Sequence, residues 1–396
     1  MTKALQKELI ERGYSRRHIG QIALGAAAAI PLFHEFAFAQ DAAAPRARGG
    51  RARNLDPDAI YITSNENPMG PTKEGLEAIS HVSPLAWRYG PAGENAEFES
   101  LLATTEDVPE DHVLSYPGSG TPLANLMPAF TSPTRSWVMG QPGYTQNGTR
   151  LGVKIHHVPL RKDFSHDVEA MIKADPNAGV YYICNPNNPT GTLTPRKDFE
   201  YILANKKKDA ILVIDEAYVH FSGRDNMSTD MVKAGKDVVV LRTFSKLYGM
   251  AGLRAGMAYG RPDLLAQLEK FGRARNLSVA TMACAAASMK AVPTMMPERI
   301  AINKKNRELA FEHMDKLGVT YTPSVANFFM MSVKGMTGPQ IGEAMKARKI
   351  NLAGNRWPEW PNHIRVTVGT YEEMTKFNAA LSAVVQEGPS KVAKAG

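Results

Sequence analysis

Cysteine is nearly missing from this chain: Cys184 and Cys284 are the only two in 396 residues. That excludes a disulfide framework and a cysteine-rich metal cluster. It leaves at most one bridge in an oxidising compartment, and two unpaired buried thiols are expected instead. No metal site is expected either. Internal repeats and long low-complexity stretches are missing beyond residue 55, and no apolar run reaches the roughly 20 residues a spanning helix needs. Dense Lys/Arg tracts with interleaved aromatics are missing too. The net charge of +8 therefore gives no support to nucleic-acid binding. Residues 1–39 hold five basic and three acidic residues, a net +2, which leaves +6 spread thinly over the rest. Lys206-Lys207-Lys208 is read as a solvated helix end. Hydrophobic residues make up 43% and charged residues 22%, which excludes wholesale disorder and allows one large and one smaller domain.

What is present begins with a leader. Ser15-Arg16-Arg17 precedes a soft apolar stretch from Ile19 to Phe33, and Ala37-Phe38-Ala39 forms a small-x-small cleavage site. This is the layout of a secretory signal, with an arginine pair of the twin-arginine kind. At about 15 residues, the apolar stretch is too short for an anchor that spans the bilayer. Residues 1–39 are expected to be a cleaved signal that sends the protein to the periplasm. The only membrane involvement expected is that export. Residues 40–54 are expected to form a flexible mature N-terminus. The twin-arginine route carries folded proteins, so a cofactor could be loaded in the cytoplasm before export.

From residue 110 to 260 short apolar strands alternate with helical segments. Strands are expected at His112–Ser115, Ser136–Met139, Lys154–Pro159, Val180–Cys184, Ile211–Asp215, Val238–Arg242 and Ala255–Ala258. Continuous runs such as Ile211-Leu212-Val213-Ile214 mean burial on both faces. The class is therefore α/β, a mostly parallel sheet covered by helices. Residues 81–275 form the expected large domain. Residues 276–396 form a smaller α+β domain, with strands at Phe328–Val333 and Ile364–Val368, and residues 55–80 join it.

In a parallel sheet, ligands sit beyond the carboxyl ends of the strands. The loops after the expected strands carry, in order, Pro117-Gly118-Ser119-Gly120-Thr121, Pro142-Gly143-Tyr144, Asn185–Gly191, Asp215-Glu216-Ala217-Tyr218 and Thr243-Phe244-Ser245-Lys246, with Arg254 further on. Singly each has a plain structural explanation: a common loop, a packed tyrosine, a helix cap, a surface lysine. Together they offer an anion cradle at a helix start, a flat aromatic, an amide, a carboxylate, a phenol, hydroxyls, an amine and a guanidinium. Pyridoxal 5'-phosphate needs that set: donors for its phosphate and 3-oxygen, a carboxylate for its ring nitrogen, an amine for its aldehyde.

Asn185–Thr192, Asp215–Tyr218 and Thr243–Arg254 resemble the fold-type I, class I/II pyridoxal-phosphate aminotransferases. Asn65-Glu66-Asn67-Pro68, Arg88-Tyr89 and Arg365–Thr370 are most similar to the histidinol-phosphate aminotransferase branch. The likeness runs from about residue 60 to 385. It implies that Lys246 bonds the cofactor aldehyde and later moves a proton, that Asp215 pairs with the ring nitrogen, and that Asn188 and Tyr218 bond the 3-oxygen. It further implies that Tyr144 stacks on the ring and that Gly120, Thr121, Thr243, Ser245 and Arg254 bind the phosphate. Tyr89 would reach the phosphate of a neighbouring subunit, which implies a homodimer with shared active sites. Arg365 would grip the substrate α-carboxylate, with Asn65, Met69 and Arg356 completing the substrate side.

Two departures stand out. Met69 replaces the tyrosine the branch carries after Asn-Glu-Asn-Pro, and Ala353 lies near the place of an arginine that holds the substrate phosphate. Arg356 is offered as its substitute from a shifted loop. Both departures, and export, count against histidinol phosphate as substrate. The expected function is amino transfer between an α-amino acid, or a related amine, and a 2-oxo acid. A decarboxylase, lyase or amino-acid oxidase would share the same cofactor shell. A non-catalytic binding protein is a third reading, at odds with the retained Lys246 and Asp215.

Overall fold

A computed structural model describes residues 1–28, 56–88, 94–144, 148–272, 274–354 and 356–392. The larger core is a seven-stranded sheet in the order β2-β8-β7-β6-β5-β3-β4. Its members are β2 (Val113–Tyr116), β3 (Trp137–Gln141), β4 (Ile155–Pro159), β5 (Val180–Cys184), β6 (Ile211–Asp215), β7 (Val238–Thr243) and β8 (Gly256–Gly260). Strands β4, β3, β5, β6 and β7 run parallel. Strand β8 runs antiparallel to both of its neighbours, β2 and β7. Every residue of β5, β6 and β7 is buried, which is why these strands read as unbroken apolar runs rather than alternating ones.

Register positions the site. Cys184 lies opposite Asp215, and Asp215 opposite Leu241. The loops that leave the three carboxyl ends therefore open side by side.

The smaller core is built on the antiparallel set β12 (Ile364–Thr367), β10 (Phe328–Ser332) and β9 (Thr320–Tyr321). Beside it a parallel pair joins β1 (Ile60–Ile62) to β11 (Ile350–Leu352). The segment from residue 276 is not wholly part of this core. Met282, Ala285, Met289, Met295 and Met296 pack with the large sheet, and the smaller cluster takes up Ala310 and Met314 further along the same helix. Packing thus passes from the larger core to the smaller one along the helix Val292–Leu317 rather than at residue 276, and Ala326 and Phe328 beyond it return to the larger cluster. Both cysteines are buried and unpaired. Among the described residues no single helix is long and apolar enough to cross a membrane.

The N-terminal segment is helical and packed where it is described. Helices α1 (Lys3–Glu11) and α2 (Arg16–Ala28) pack on the large domain. Leu5, Leu9, Tyr14, Ile19 and Ile22 are buried in the same cluster as the sheet. The Ala37–Ala39 motif and residues 40–54 lie outside the described residues.

Candidate active site

A cleft of about 500 Å³ opens over the carboxyl ends of β5, β6 and β7. It gathers Tyr144, Asn188, Asp215, Tyr218, Thr243, Ser245, Lys246, Arg254, Arg356 and Arg365 from segments that lie up to 221 residues apart.

Asp215 closes β6 at its floor, almost fully buried. Burial pushes its carboxyl up to about 6, against the pull of a hydrogen bond from Tyr182 Oη at 2.9 Å and one from the Ala217 N–H at 3.1 Å. A carboxylate so placed favours a cation beside it. The ring nitrogen of a protonated pyridine is such a cation.

Lys246 lies beyond the end of β7. Its Nζ donates to the Ser64 carbonyl at 3.1 Å and sits 5.5 Å from the centre of the Tyr218 ring. Burial, with the positive charge of Arg365 next, lowers its amine to about 7. A substantial neutral fraction at neutral pH is what a lysine needs to bond an aldehyde or accept a proton.

Tyr218 anchors a polar chain that ties the two cores together. Its hydroxyl accepts from Asn65 Nδ2 at 3.1 Å and from Asn188 Nδ2 at 3.4 Å. Arg365 Nη1 donates to Asn188 Oδ1 at 2.8 Å, and Nη2 to the Thr63 carbonyl at 2.9 Å. Asn65 is held in the left-handed region at φ 53, and its backbone N–H donates to Thr367 Oγ1 on β12. Asn188 and Tyr218 thus face the same space, as donors for a ring oxygen must.

At the other end, Ser119 and Gly120 begin helix α5 (Gly120–Phe130, after α3 at Lys73–Val82 and α4 at Glu94–Glu106). Thr243 Oγ1 donates to Ser245 Oγ at 2.9 Å, and Arg254 Nη1 reaches the same Ser245 oxygen at 3.4 Å. Gly118 adopts φ 82, and a Cβ there would meet Arg254 Nη2 at 2.5 Å. Glycine therefore allows the guanidinium to lie against the loop. A helix N-terminus, two hydroxyls and a guanidinium form a cradle for a phosphate. Amine, carboxylate, amide–phenol pair and cradle all fit pyridoxal 5'-phosphate.

The remaining wall is cationic. Arg365 is 3% exposed, with its guanidinium 5.6 Å from the Phe328 ring centre and 5.3 Å from that of Trp357. Arg356 lines the same cleft. Neither forms a salt bridge with a carboxylate among the described residues, and the Nε of each is buried without a partner. Burial lowers Arg365 to about 9, and the charge of Arg356 lowers it further in the same direction. Burial brings Arg356 to about 10. Two guanidiniums in one cleft without carboxylate partners among the described residues favour an anion there.

Most of the residues expected from the sequence therefore meet in one place. Thr121 follows Gly120 in the first turn of α5 but does not line the cleft. Tyr89 lies outside the described residues. Met69 is a correction: it is 39% exposed and lines a neighbouring cavity of about 300 Å³ with Ile302 and Tyr371, not the cleft around Lys246. The backbone turn after Asn67, whose side chain accepts from the Met69 N–H, carries it away. Ala353 is fully buried, its N–H bonded to the Arg365 carbonyl. Arg356 lines the cleft.

Three contributors were missed. Tyr182 sits two residues before the end of β5, on the face it shares with Cys184, diagonal to Asp215. Strand alternation could have found it. The Ser64 carbonyl carries no side-chain signal at all. Trp357 follows Arg356 directly, and an aromatic beside a cleft arginine was a readable hint.

A family model described as aminotransferase class I and II matches residues 57–381. A histidinol-phosphate aminotransferase of Nitrosococcus oceani is 31% identical over 335 residues, 83% of this chain and 90% of the relative. One from Halalkalibacterium halodurans is 30% identical over 334 residues, 83% of this chain and 89% of the relative. The solved histidinol-phosphate aminotransferase of Sinorhizobium meliloti, in complex with pyridoxal-5'-phosphate, is 24% identical. It superposes with a TM-score of 0.73 over 83% of this chain and 91% of its own.

Proposed function

The chain belongs to the class I and II aminotransferases, a pyridoxal-phosphate enzyme that transfers an amino group, and from that premise we propose that its donor carries two negative charges, as two carboxylates or as a phosphate ester. The observation behind the proposal is the pair of buried Arg365 and half-buried Arg356, which line one cleft without carboxylate partners among the described residues. A donor with one carboxylate answers one guanidinium. A dicarboxylic amino acid, or an amine or amino acid bearing a phosphate ester, answers both. The histidinol-phosphate aminotransferases among the relatives are named for a phosphorylated amine, which is of this class. Arg356 supplies the cation whose absence at Ala353 counted against that class.

When bound, the cofactor supplies an aldehyde for the substrate amine and a ring that draws electrons from Cα. The chain does the rest. Asp215 holds the proton on the ring nitrogen, and Asn188 and Tyr218 orient the ring oxygen. With the cofactor in place, Lys246 Nζ, whose pKa lies near 7, would accept the proton from substrate Cα and carry it for return on the same face. Arg365 fixes the substrate so that the Cα–H bond faces Nζ.

The same proposal includes location and assembly. Residues 1–39 direct the folded, loaded enzyme to the periplasm, and processing follows Ala39. The working form is a homodimer in which Tyr89 serves the partner's cofactor phosphate.

The test compares glutamate, aspartate and histidinol phosphate with alanine and leucine as donors, in the parent and in Arg356→Ala. Dianionic donors should lead in the parent by at least about 1–3 kcal/mol, roughly 5- to 150-fold in kcat/KM, and lose that lead in the variant. A parent that prefers alanine or leucine would sink the assignment.

A further inference from the structure

The leader touches the catalytic apparatus through helix α5, whose first turn begins the phosphate cradle. At the far end of that helix Arg12 Nη2 donates to three carbonyls: Pro128 at 2.7 Å, Ala129 at 3.1 Å and Thr131 at 2.6 Å. Tyr14 Oη adds a bond to the Thr131 carbonyl at 2.8 Å. The last carbonyls of any helix lack partners within it, and a cation there also meets the negative end of the dipole.

Helix α5 needs this more than most. Only 11 residues long, it carries Pro128 inside its last turn, which removes one ladder bond. Its remaining end contacts are local, the N–H and Oγ1 of Thr131 both reaching the Met127 carbonyl.

The contact is seated rather than incidental. Leu9 is fully buried and Tyr14 nearly so. Lys270, at the end of helix α9 (Pro262–Glu269, following α6 at Val168–Ala174, α7 at Arg196–Asn205 and α8 at Thr229–Lys233), pairs with Glu8 at 3.0 Å. The His18 ring lies so close to Gly152 that a Cβ there would meet its Cε1 at 2.7 Å. Arg16 and Arg17 stay exposed meanwhile, available to a receptor while the apolar face is covered.

We propose that residues 3–28 form a docked hairpin that braces α5, with Arg12 as a positioning residue for the cofactor-phosphate cradle at the opposite end of that helix. The full-length precursor then holds pyridoxal phosphate more tightly than a chain whose hairpin is released. The cofactor is captured while the leader is still attached. The proposal depends on the cofactor and not on which donor the enzyme prefers.

The experiment uses the full-length apoenzyme. Pyridoxal phosphate is titrated into the parent, Arg12→Ala, Arg12→Lys, Tyr14→Phe and the surface control Lys7→Ala, and binding is read from cofactor absorbance. Amide exchange is followed in residues 120–130 and, as an internal reference, in residues 371–385 of the small domain. Arg12→Ala should weaken cofactor binding about five-fold or more, the low end of coupling between sites. It should speed exchange in 120–130 while 371–385 keeps its protection. Lysine keeps the charge and presents three donors, so Arg12→Lys should recover most of the loss. Tyr14→Phe should fall between, and Lys7→Ala should match the parent. Cofactor affinity and exchange in 120–130 at parent values in both Arg12→Ala and Tyr14→Phe would overturn the proposal. So would a loss in Arg12→Ala that lysine does not recover and that speeds exchange equally in both segments, because that is general destabilisation.

Discussion

Replacing Arg365 with alanine separates the substrate's carboxylate end from its side chain. In the structure this guanidinium is nearly fully buried, held by Asn188 Oδ1 and the Thr63 carbonyl, and flanked by Phe328 and Trp357. Its Nε has no partner among the described residues, which leaves a donor free for a ligand. Losing one member of a desolvated, charged hydrogen-bond pair costs about 2–5 kcal/mol. At 1.4 kcal/mol per decade that is roughly 30-fold to several thousand-fold in kcat/KM. The loss should be similar for every carboxylate-bearing donor, because all share the group. The apoenzyme should change little in thermal stability: two accepting groups lose a donor, but a charge repelled by Arg356 also leaves. Arg365→Lys should lie between, since it keeps the charge and loses the two-pronged fork. Steady-state kinetics over a panel of donors gives the first quantity and a thermal melt the second. A variant with reduced stability and unchanged KM for all donors would refute the assignment and mark Arg365 as a structural strand-end arginine.

The other predictions concern the groups around it. Lys246→Met should stabilise the apoenzyme at pH 7 by about 1–3 kcal/mol, read as a higher melting temperature. The folded-state pKa of this lysine, about 7, is below its ordinary 10.5, so the stability tied to its neutral form is full above 10.5 and is lost as pH falls toward 7. The gap between variant and parent should therefore close as pH rises to 10.5, and a constant gap would contradict it. Gly118→Ala should weaken cofactor binding about ten-fold, because it places a Cβ against Arg254 at a positive φ. Unchanged affinity in a direct titration would remove that loop from the cradle. Arg242→Met should destabilise the large domain by about 3–5 kcal/mol, since Arg242 lies buried between Glu216, 2.7 Å away, and Glu106, and its loss leaves a buried carboxylate unpaired. Denaturant unfolding measures it, and a change under about 1 kcal/mol would count against the pairing.

The parts that could be read in advance were those with a strong local cause. Val180–Cys184 and Ile211–Asp215 match the strands as built, because burial on both faces leaves an unbroken apolar run. Asp215, Asn188, Tyr218 and Lys246 were readable because strand ends in such a sheet converge on one side. The pairing of Ile60–Ile62 with Ile350–Leu352 was not, since three-residue strands hold no period and their partner lies 290 residues away. The reversal of β8 is set by its neighbours β2 and β7, not by its own residues. Met69 was misplaced because adjacency in a motif does not fix direction across a turn. The hairpin was read only as an address, because Leu5, Leu9, Tyr14, Ile19 and Ile22 mark an apolar face without saying what it covers.

Amino transfer itself is tested most directly in a single half-reaction. The pyridoxal-phosphate form of the enzyme, without oxo acid, is mixed with glutamate, aspartate or histidinol phosphate, and the products are counted per active site. The expected result is conversion of the bound cofactor to pyridoxamine phosphate, with one carbonyl product released per site and no carbon dioxide or peroxide. Carbon dioxide or peroxide with the cofactor still in its pyridoxal form would contradict it, and would place the enzyme among the decarboxylases or oxidases that share this shell.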